Sequence, residues 1–205
     1  CKNYIERGQT MKANYKVVDN FLNQDSFKKL QSIILGDQLP WYYNTSVSTS
    51  TSKDGICFTH YFYVENLGRS QRFDIVEDVI NILDPYLILK IKANLYPQTE
   101  KIIEHGRHAD FGFGVKNKGF ILYINDNDGF TRLADGTKIK SVANRGLYFD
   151  GSTEHNSTTC TDANARFNIN FNYIEKLENK EGENKNEDNN TISNNSRLIS
   201  DKLYI

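Results

Sequence analysis

The chain has 205 residues, of which 38% are hydrophobic and 25% charged, so one domain with some additional tail is expected. Its formal net charge of −1 gives no reason to expect nucleic acid or an anionic membrane as a partner. No apolar run approaches the roughly 18 residues that span a bilayer. Cys1, Cys57 and Cys160 fit neither a disulfide framework nor a zinc pattern, which favours a reducing compartment.

Two helices are predicted in the first half of the chain. The first has apolar residues at helical spacing, namely Phe27, Leu30, Ile33 and Ile34. Asn23 or Asp25 can cap it, and Gly36 ends it. The second covers about residues 71–83 and ends at Asp84-Pro85.

Strands are predicted for most of the remaining domain, at 56–64, 88–96, 120–125, 147–149 and 166–173. In 88–96 and 166–173, apolar residues alternate with Lys, Asn, Tyr or Arg, so each strand has one apolar and one polar face. Helices followed by strands favour antiparallel sheets with the helices on one side. The polar faces fit either a solvent-exposed sheet or the wet inner wall of a barrel or jelly roll.

The composition divides the chain into three parts. Residues 1–14 are polar and are treated as an N-terminal extension, and the domain is expected at 15–175. From 176 to 205 the chain is dominated by Glu, Asn, Lys and Ser, so we expect a flexible tail. The abundance of Asn, Lys and Ile is typical of AT-rich coding sequences, as in many phages and some bacteria, and we expect a cytoplasmic location in a bacterium or phage-infected host.

A metal site is predicted from three residues. His108 and Asp110 are two positions apart, so on an extended chain they point the same way, and His155 follows a later strand. Two histidines and one carboxylate bind Fe(II) on one face and leave the other face open for a cosubstrate and dioxygen. The alternative is that His108 and Asp110 are ordinary surface residues in a turn.

The other two histidines are not expected to bind the metal. His60 lies within an aromatic strand and is expected to be packed in the core or the cavity. His105 has no partner at a suitable spacing and is expected to be exposed to solvent.

Arg166 lies on the polar face of the last strand, eleven residues after His155. A guanidinium there can bind a carboxylate through two hydrogen bonds, which is what the distal carboxylate of 2-oxoglutarate requires. A surface salt bridge is the alternative, and the order His-x-Asp, His, Arg along the chain makes it the weaker interpretation.

These motifs resemble the 2-oxoglutarate/Fe(II)-dependent dioxygenase superfamily, and more narrowly its prolyl 4-hydroxylase-like branch as found in phages and marine bacteria. The resemblance covers about residues 17–174. The segments that carry it are PWYYN at 40–44, ANLYP at 93–97, EHGRHAD at 104–110, LYIN at 122–125, DGFT at 128–131, LYFDG at 147–151, EHNST at 154–158 and RFNINFNY at 166–173. It implies a mainly β fold (α+β), a double-stranded β-helix or jelly roll with the N-terminal helices packed on the outer face.

The resemblance also implies roles for individual residues. His108, Asp110 and His155 match the iron ligands, and Arg166 matches the residue that binds the 2-oxoglutarate 5-carboxylate. Tyr96 and Tyr123 match positions whose phenols face the cosubstrate. Asn94 and Asn168 are expected to face the same cavity and bind the cosubstrate.

The expected function is therefore hydroxylation of a substrate C–H bond with Fe(II), 2-oxoglutarate and O2, and with ascorbate as a candidate reductant. A peptidyl-proline is the first candidate substrate, and a small metabolite or free amino acid is the alternative. The loops at 45–55 and 66–70 are expected to determine substrate choice. Two non-enzymatic alternatives are a cupin-like metal-binding β-barrel and a lectin-like virion protein.

Overall fold

The computed structural model describes residues 14–47, 55–65, 67–110 and 116–176. The predicted N-terminal extension and C-terminal tail lie almost wholly outside these ranges, as do residues 48–54 of the first predicted substrate loop and Asn66 of the second. Among the described residues, no helix is long and apolar enough to cross a membrane.

Antiparallel β-strands form most of the regular secondary structure in the described residues. In chain order they are β1 (Tyr15–Val18), β2 (Tyr42–Asn44), β3 (Cys57–Val64), β4 (Gly68–Arg69), β5 (Leu87–Pro97), β6 (Lys118–Tyr123), β7 (Phe130–Leu133), β8 (Lys138–Lys140), β9 (Arg145–Asp150), β10 (His155–Asn156) and β11 (Ala165–Ile174). The large sheet has the order β1-β9-β6-β11-β5-β3-β2, with β4 beside β3, and the small sheet has the order β10-β7-β8.

The helices begin and end close to the predicted positions. Helix α1 (Gln24–Leu35) is capped by Asn23, whose side chain accepts a hydrogen bond of 2.9 Å from the Ser26 amide. The second predicted helix starts as a 3₁₀ turn (Phe73–Val76) and becomes α-helical only at α2 (Glu77–Leu83). Asp84 ends α2 in a left-handed conformation (φ 43°), and Pro85 prevents its continuation.

The main hydrophobic core lies between the helices and the outer face of the large sheet. It contains the apolar side of α1 and the 3₁₀ turn together with every second residue of the central strands, including Phe62, Ile91, Phe120, Leu122, Ile169 and Phe171. The prediction that the N-terminal helices pack on the outer face of a mainly β fold is therefore confirmed.

The other face of the large sheet is polar along β5 and β11. Arg166, Asn168, Asn170 and Asn172 alternate with the core residues of β11, and they lie directly opposite Tyr96, Asn94, Lys92 and Lys90 of β5. This inner face also packs against the small sheet through a second apolar cluster formed by Ile121, Tyr123, Ile139, Leu147 and Phe149. Two antiparallel sheets therefore enclose a space with polar walls, which is the jelly-roll arrangement.

Candidate metal centre and adjoining cavities

The structure brings His108, Asp110 and His155 together. His108 and His155 lie on adjacent extended segments joined by two backbone hydrogen bonds, of 3.0 Å from the His108 amide and 2.9 Å from the His155 amide. One ligand atom from each of the three side chains lies within 4.8 Å of the other two. A single ion can therefore contact all three residues.

Both imidazoles have one ring nitrogen occupied by a backbone carbonyl. The Nδ1 atom of His108 lies 3.2 Å from the Gly106 oxygen, and that of His155 lies 3.0 Å from the Thr153 oxygen. A carbonyl accepts only from an N–H, so each Nδ1 carries the proton and each Nε2 keeps a lone pair for a metal. Burial lowers the pKa of His108, which favours the neutral form needed for ligation.

Asp110 is held by two residues of the inner polar face. Its carboxylate lies 3.4 Å from Nζ of Lys90 and accepts a hydrogen bond of 3.0 Å from Asn172. Burial alone would raise the pKa of Asp110, but the positive charges of Lys90 and Lys92 and the Asn172 hydrogen bond lower it, and the pKa lies well below its usual range. The carboxylate is therefore ionised and oriented.

The donor set fits a divalent transition metal. Two neutral imidazoles and one carboxylate approach from one side, a combination that suits non-haem Fe(II) and leaves positions for other ligands. The side chains of Asp110 and His155 are only 5% and 3% exposed, so little water competes with them.

A narrow inner cavity continues from the metal site between the sheets. His108 and His155 line it at one end, and its walls include Tyr96, Thr131 and Asn168. Tyr96 and Thr131 both contact Arg166, so the cavity joins the metal site to the surroundings of this arginine.

Arg166 is completely buried. Its guanidinium donates hydrogen bonds to Ser141 Oγ (2.7 Å), Thr131 Oγ1 (3.1 Å) and the Thr158 carbonyl (3.3 Å). These acceptors are all neutral, and no ion pair among the described residues includes Arg166. Because a buried charge is costly without a counter-charge, the arrangement favours an anionic ligand beside Arg166.

The two predicted cosubstrate tyrosines flank this arginine. The Arg166 guanidinium lies 5.5 Å from the ring centre of Tyr96 and 5.6 Å from that of Tyr123. The Tyr123 hydroxyl donates to Thr131 Oγ1 at 2.8 Å, and the Tyr96 phenol interacts with Ser157. Burial raises the pKa of Tyr96 to about 12, so its phenol stays protonated and can donate.

The prediction that His105 is exposed is wrong. Its side chain is buried, with Nδ1 2.8 Å from Ser157 Oγ and the ring centre 5.0 Å from that of Tyr96. The segment 104–108 pairs with the 155–158 segment at both of its ends, which turns the histidine inward. His60 is packed in the core as expected, with its nitrogens 2.9 Å from the Pro40 oxygen and 3.2 Å from Ser70 Oγ.

Asn94 and Asn168 lie side by side on the inner face. The Asn94 amide donates to Asn168 at 2.9 Å, and both are buried. Asn168 lines the inner cavity, whereas Asn94 lies behind it and holds its amide in place.

A wider outer cavity of about 300 Å³ opens on the other side of the metal site. Its walls include Thr59 and Tyr61 of β3, Lys90 and Lys92 of β5, and Asp110. Sequence reasoning placed the two lysines on the polar face of β5 but assigned them no role. The alternation of apolar and polar residues along β5, together with the position of the metal ligands, is the signal that could have located these lysines in the site.

The fold is that of the 2-oxoglutarate/Fe(II)-dependent oxygenases, according to a comparison with solved structures. A 2OG-Fe(II) oxygenase family oxidoreductase from Burkholderia pseudomallei superposes with a TM-score of 0.59 at 10% identity over 78% of this chain and 84% of that one. A prolyl hydroxylase from Trichoplax adhaerens, in complex with a hypoxia inducible factor peptide fragment, gives 0.58 at 14% identity over 78% and 83%. The non-heme alpha ketoglutarate dependent epimerase SnoN of nogalamycin biosynthesis gives 0.55 at 11% identity over 80% and 78%.

Comparison of the amino-acid sequence with known families and proteins finds no match. No protein-family model matches it, and no curated protein sequence is significantly similar to it. The likeness to known proteins is thus one of three-dimensional structure.

Proposed function

We propose that this protein is an Fe(II)- and 2-oxoglutarate-dependent dioxygenase that hydroxylates a C–H bond of its substrate. The observation that carries the proposal is the pairing of two features around one cavity. The two histidines of a His-Asp-His cluster line it, and a buried arginine, without an anionic partner among the described residues, contacts Thr131 and Tyr96 of its wall. A cupin-like protein that only binds metal has no need for the buried arginine.

Each residue has a definite task in this proposal. His108, Asp110 and His155 hold the metal, and Arg166 binds the distal carboxylate of 2-oxoglutarate. Fe(II), 2-oxoglutarate and dioxygen together supply the oxidising power for hydroxylation, and 2-oxoglutarate is converted to succinate and CO2.

The cavity walls complete the binding site. Tyr96 and Tyr123 stack beside the Arg166 guanidinium and keep it apart from water. Asn168 offers its amide to the bound cosubstrate, with Asn94 holding the side chain of Asn168 in position. The Nδ1 hydrogen bonds of both histidines prevent their rings from turning away from the metal.

The test uses substitution of the metal ligands. His108→Ala and Asp110→Ala should abolish Fe(II)-dependent 2-oxoglutarate binding, which is measured anaerobically by difference spectroscopy, and should stop succinate formation. Asp37→Ala is the matched control, because Asp37 is an exposed aspartate after α1. Succinate production at the wild-type rate in Asp110→Ala would refute the proposed function.

For the substrate, we propose a peptidyl-proline as the first candidate, since one structure of the same fold is a prolyl hydroxylase with a bound peptide. A small molecule is the second candidate, since SnoN, an epimerase of nogalamycin biosynthesis, shares the fold equally well. Mass spectrometry of proline-containing peptides and of small-molecule mixtures, with a gain of one oxygen atom as the readout, separates the two. Ascorbate is proposed as a reductant, and its addition should then prolong turnover.

A further inference from the structure

Two lysines of β5 form a positively charged wall beside the metal site. Lys90 and Lys92 are two residues apart on the inner face of the strand, so both side chains point into the outer cavity. Asp110 is the acidic side chain among the described residues that line this cavity. The net charge of these lining residues is therefore +1, and a bound divalent cation would raise it to +3.

The two lysines differ in their contacts. Lys90 is paired with Asp110 at 3.4 Å, and its side chain is 17% exposed. Lys92 takes part in no hydrogen bond or ion pair among the described residues, although it is largely buried. Burial and the neighbouring Lys90 lower the pKa of Lys92 and outweigh the opposite effect of Asp110.

The backbone positions of the lysines and of Arg166 are well separated along the inner face, although the Lys92 side chain lines the inner cavity as well as the outer one. Lys92 on β5 lies opposite Asn170 on β11, and Asn170 is four residues further along β11 than Arg166. At about 3.3 Å per residue, the backbone positions at these two points of the strand are roughly 13 Å apart, which is longer than a five-carbon diacid. If Arg166 holds the distal carboxylate of 2-oxoglutarate, the lysines are left for another ligand.

We propose that Lys92, with Lys90 beside it, binds an anionic group of the substrate, a carboxylate or a phosphate, and so determines substrate specificity. The inference rests on the proposed function and narrows its substrate class. The outer cavity of about 300 Å³ is of the size that accommodates a small ligand or a single side chain. The anion can therefore belong to a free acid or to an acidic residue of a peptide.

The first test measures anion binding without turnover. The full chain is loaded with Zn(II) and saturating 2-oxoglutarate, and sulfate or acetate is titrated by calorimetry as a probe. Lys92→Met should weaken binding of the probe about tenfold or more, whereas Lys92→Arg should largely retain it. Lys28→Met is the matched control, because Lys28 is an exposed lysine on α1.

The outcomes separate this inference from the proposed function. Failure of wild-type protein to bind 2-oxoglutarate would refute the proposed function. Normal 2-oxoglutarate binding with no probe binding, or with equal probe binding in Lys92→Met, would overturn the lysine site alone. A raised 2-oxoglutarate dissociation constant in Lys92→Met would also overturn it, because Lys92 would then hold the cosubstrate.

The second test uses matched substrate pairs that differ only in the anion. Free amino acids are compared with their carboxamides, and peptides with Asp beside proline are compared with the Asn forms. Oxygen incorporation should favour the anionic member, and Lys92→Met should remove the preference without changing the KM for 2-oxoglutarate. Equal use of both members by the wild-type protein would contradict the proposal, and the preferred pair distinguishes a free acid from a peptide.

Discussion

Arg166 is the residue whose surroundings say most about function. A fully buried guanidinium has five N–H donors, and here the hydrogen bonds given above are all to neutral oxygen atoms. Such a group is stabilised when a carboxylate arrives, and it cannot be replaced by the more compact ammonium of lysine without loss of the two-pronged geometry.

Replacement of Arg166 should therefore affect the cosubstrate more than the metal. Arg166→Met is expected to weaken 2-oxoglutarate binding by about 2–5 kcal/mol, with Arg166→Lys in between. Fe(II) or Zn(II) affinity should change little. The KM for 2-oxoglutarate and metal titration measure the two effects, with the surface residue change Arg132→Met as control. An unchanged KM in Arg166→Met would contradict the assigned role.

Ser157 links two buried rings near the same cavity. Its hydroxyl lies 2.8 Å from His105 Nδ1 and interacts with the Tyr96 phenol, so it contributes to the orientation of both rings. Ser157→Ala leaves these polar groups with one partner fewer, which should lower the free energy of unfolding by about 1–3 kcal/mol.

Urea unfolding measures this effect, and Ser32→Ala on the exposed side of α1 should change stability by only about 0.5 kcal/mol or less. The KM for 2-oxoglutarate should rise in Ser157→Ala as Tyr96 loses its fixed position. If Ser157→Ala were as stable as wild type and had the same KM, Ser157 would have no positioning role.

At the scale of elements, the strand alternation was the most predictable feature. Residues 88–96 and 166–173 were predicted as strands, and β5 and β11 extend each by one residue at both ends. Their pairing places the polar residues in register, which periodicity alone could not show because register depends on contacts between distant parts of the chain. The same limit explains the error at His105, whose burial follows from bridges between 104–108 and 155–158.

The turn between β6 and β7 packs closely against the Arg166 side chain at Gly129. A methyl group on Gly129 would lie 2.7 Å from Cδ of Arg166, 2.7 Å from the Thr159 carbonyl and 2.8 Å from Oδ1 of Asn127. All three distances are too short for a carbon atom, and the Thr159 carbonyl and Asn127 Oδ1 already accept hydrogen bonds.

Gly129→Ala should thus displace the Arg166 side chain as well as strain the turn. We expect a loss of stability of about 1–3 kcal/mol and a higher KM for 2-oxoglutarate. Gly136→Ala is a useful comparison because a methyl group there meets no atom within 4 Å, although its φ of 90° strains the backbone. If Gly136→Ala raised the KM as much as Gly129→Ala, the effect would be one of general strain and not of Arg166 position.

At the scale of the whole molecule, the metal site ties together segments that are distant in the chain. His108 and Asp110 precede β6, whereas His155 belongs to the small sheet, and Asp110 is bound to β5 and β11 through Lys90 and Asn172. An ion bound here contacts only the folded arrangement, so binding should stabilise the fold.

This coupling gives a prediction for thermal unfolding. At a metal concentration about 100 times the dissociation constant, Zn(II) should stabilise the folded state by about 2.7 kcal/mol, or roughly 5–10 °C for a domain of this size. 2-Oxoglutarate should add a further increase only when metal is present, if, as proposed, one of its ends binds the ion and the other binds Arg166. Asp110→Ala should show neither shift and Asp37→Ala should show both. Stabilisation by 2-oxoglutarate of the metal-free protein, equal to that of the Zn(II)-loaded protein, would mean that the two ligands do not share one site.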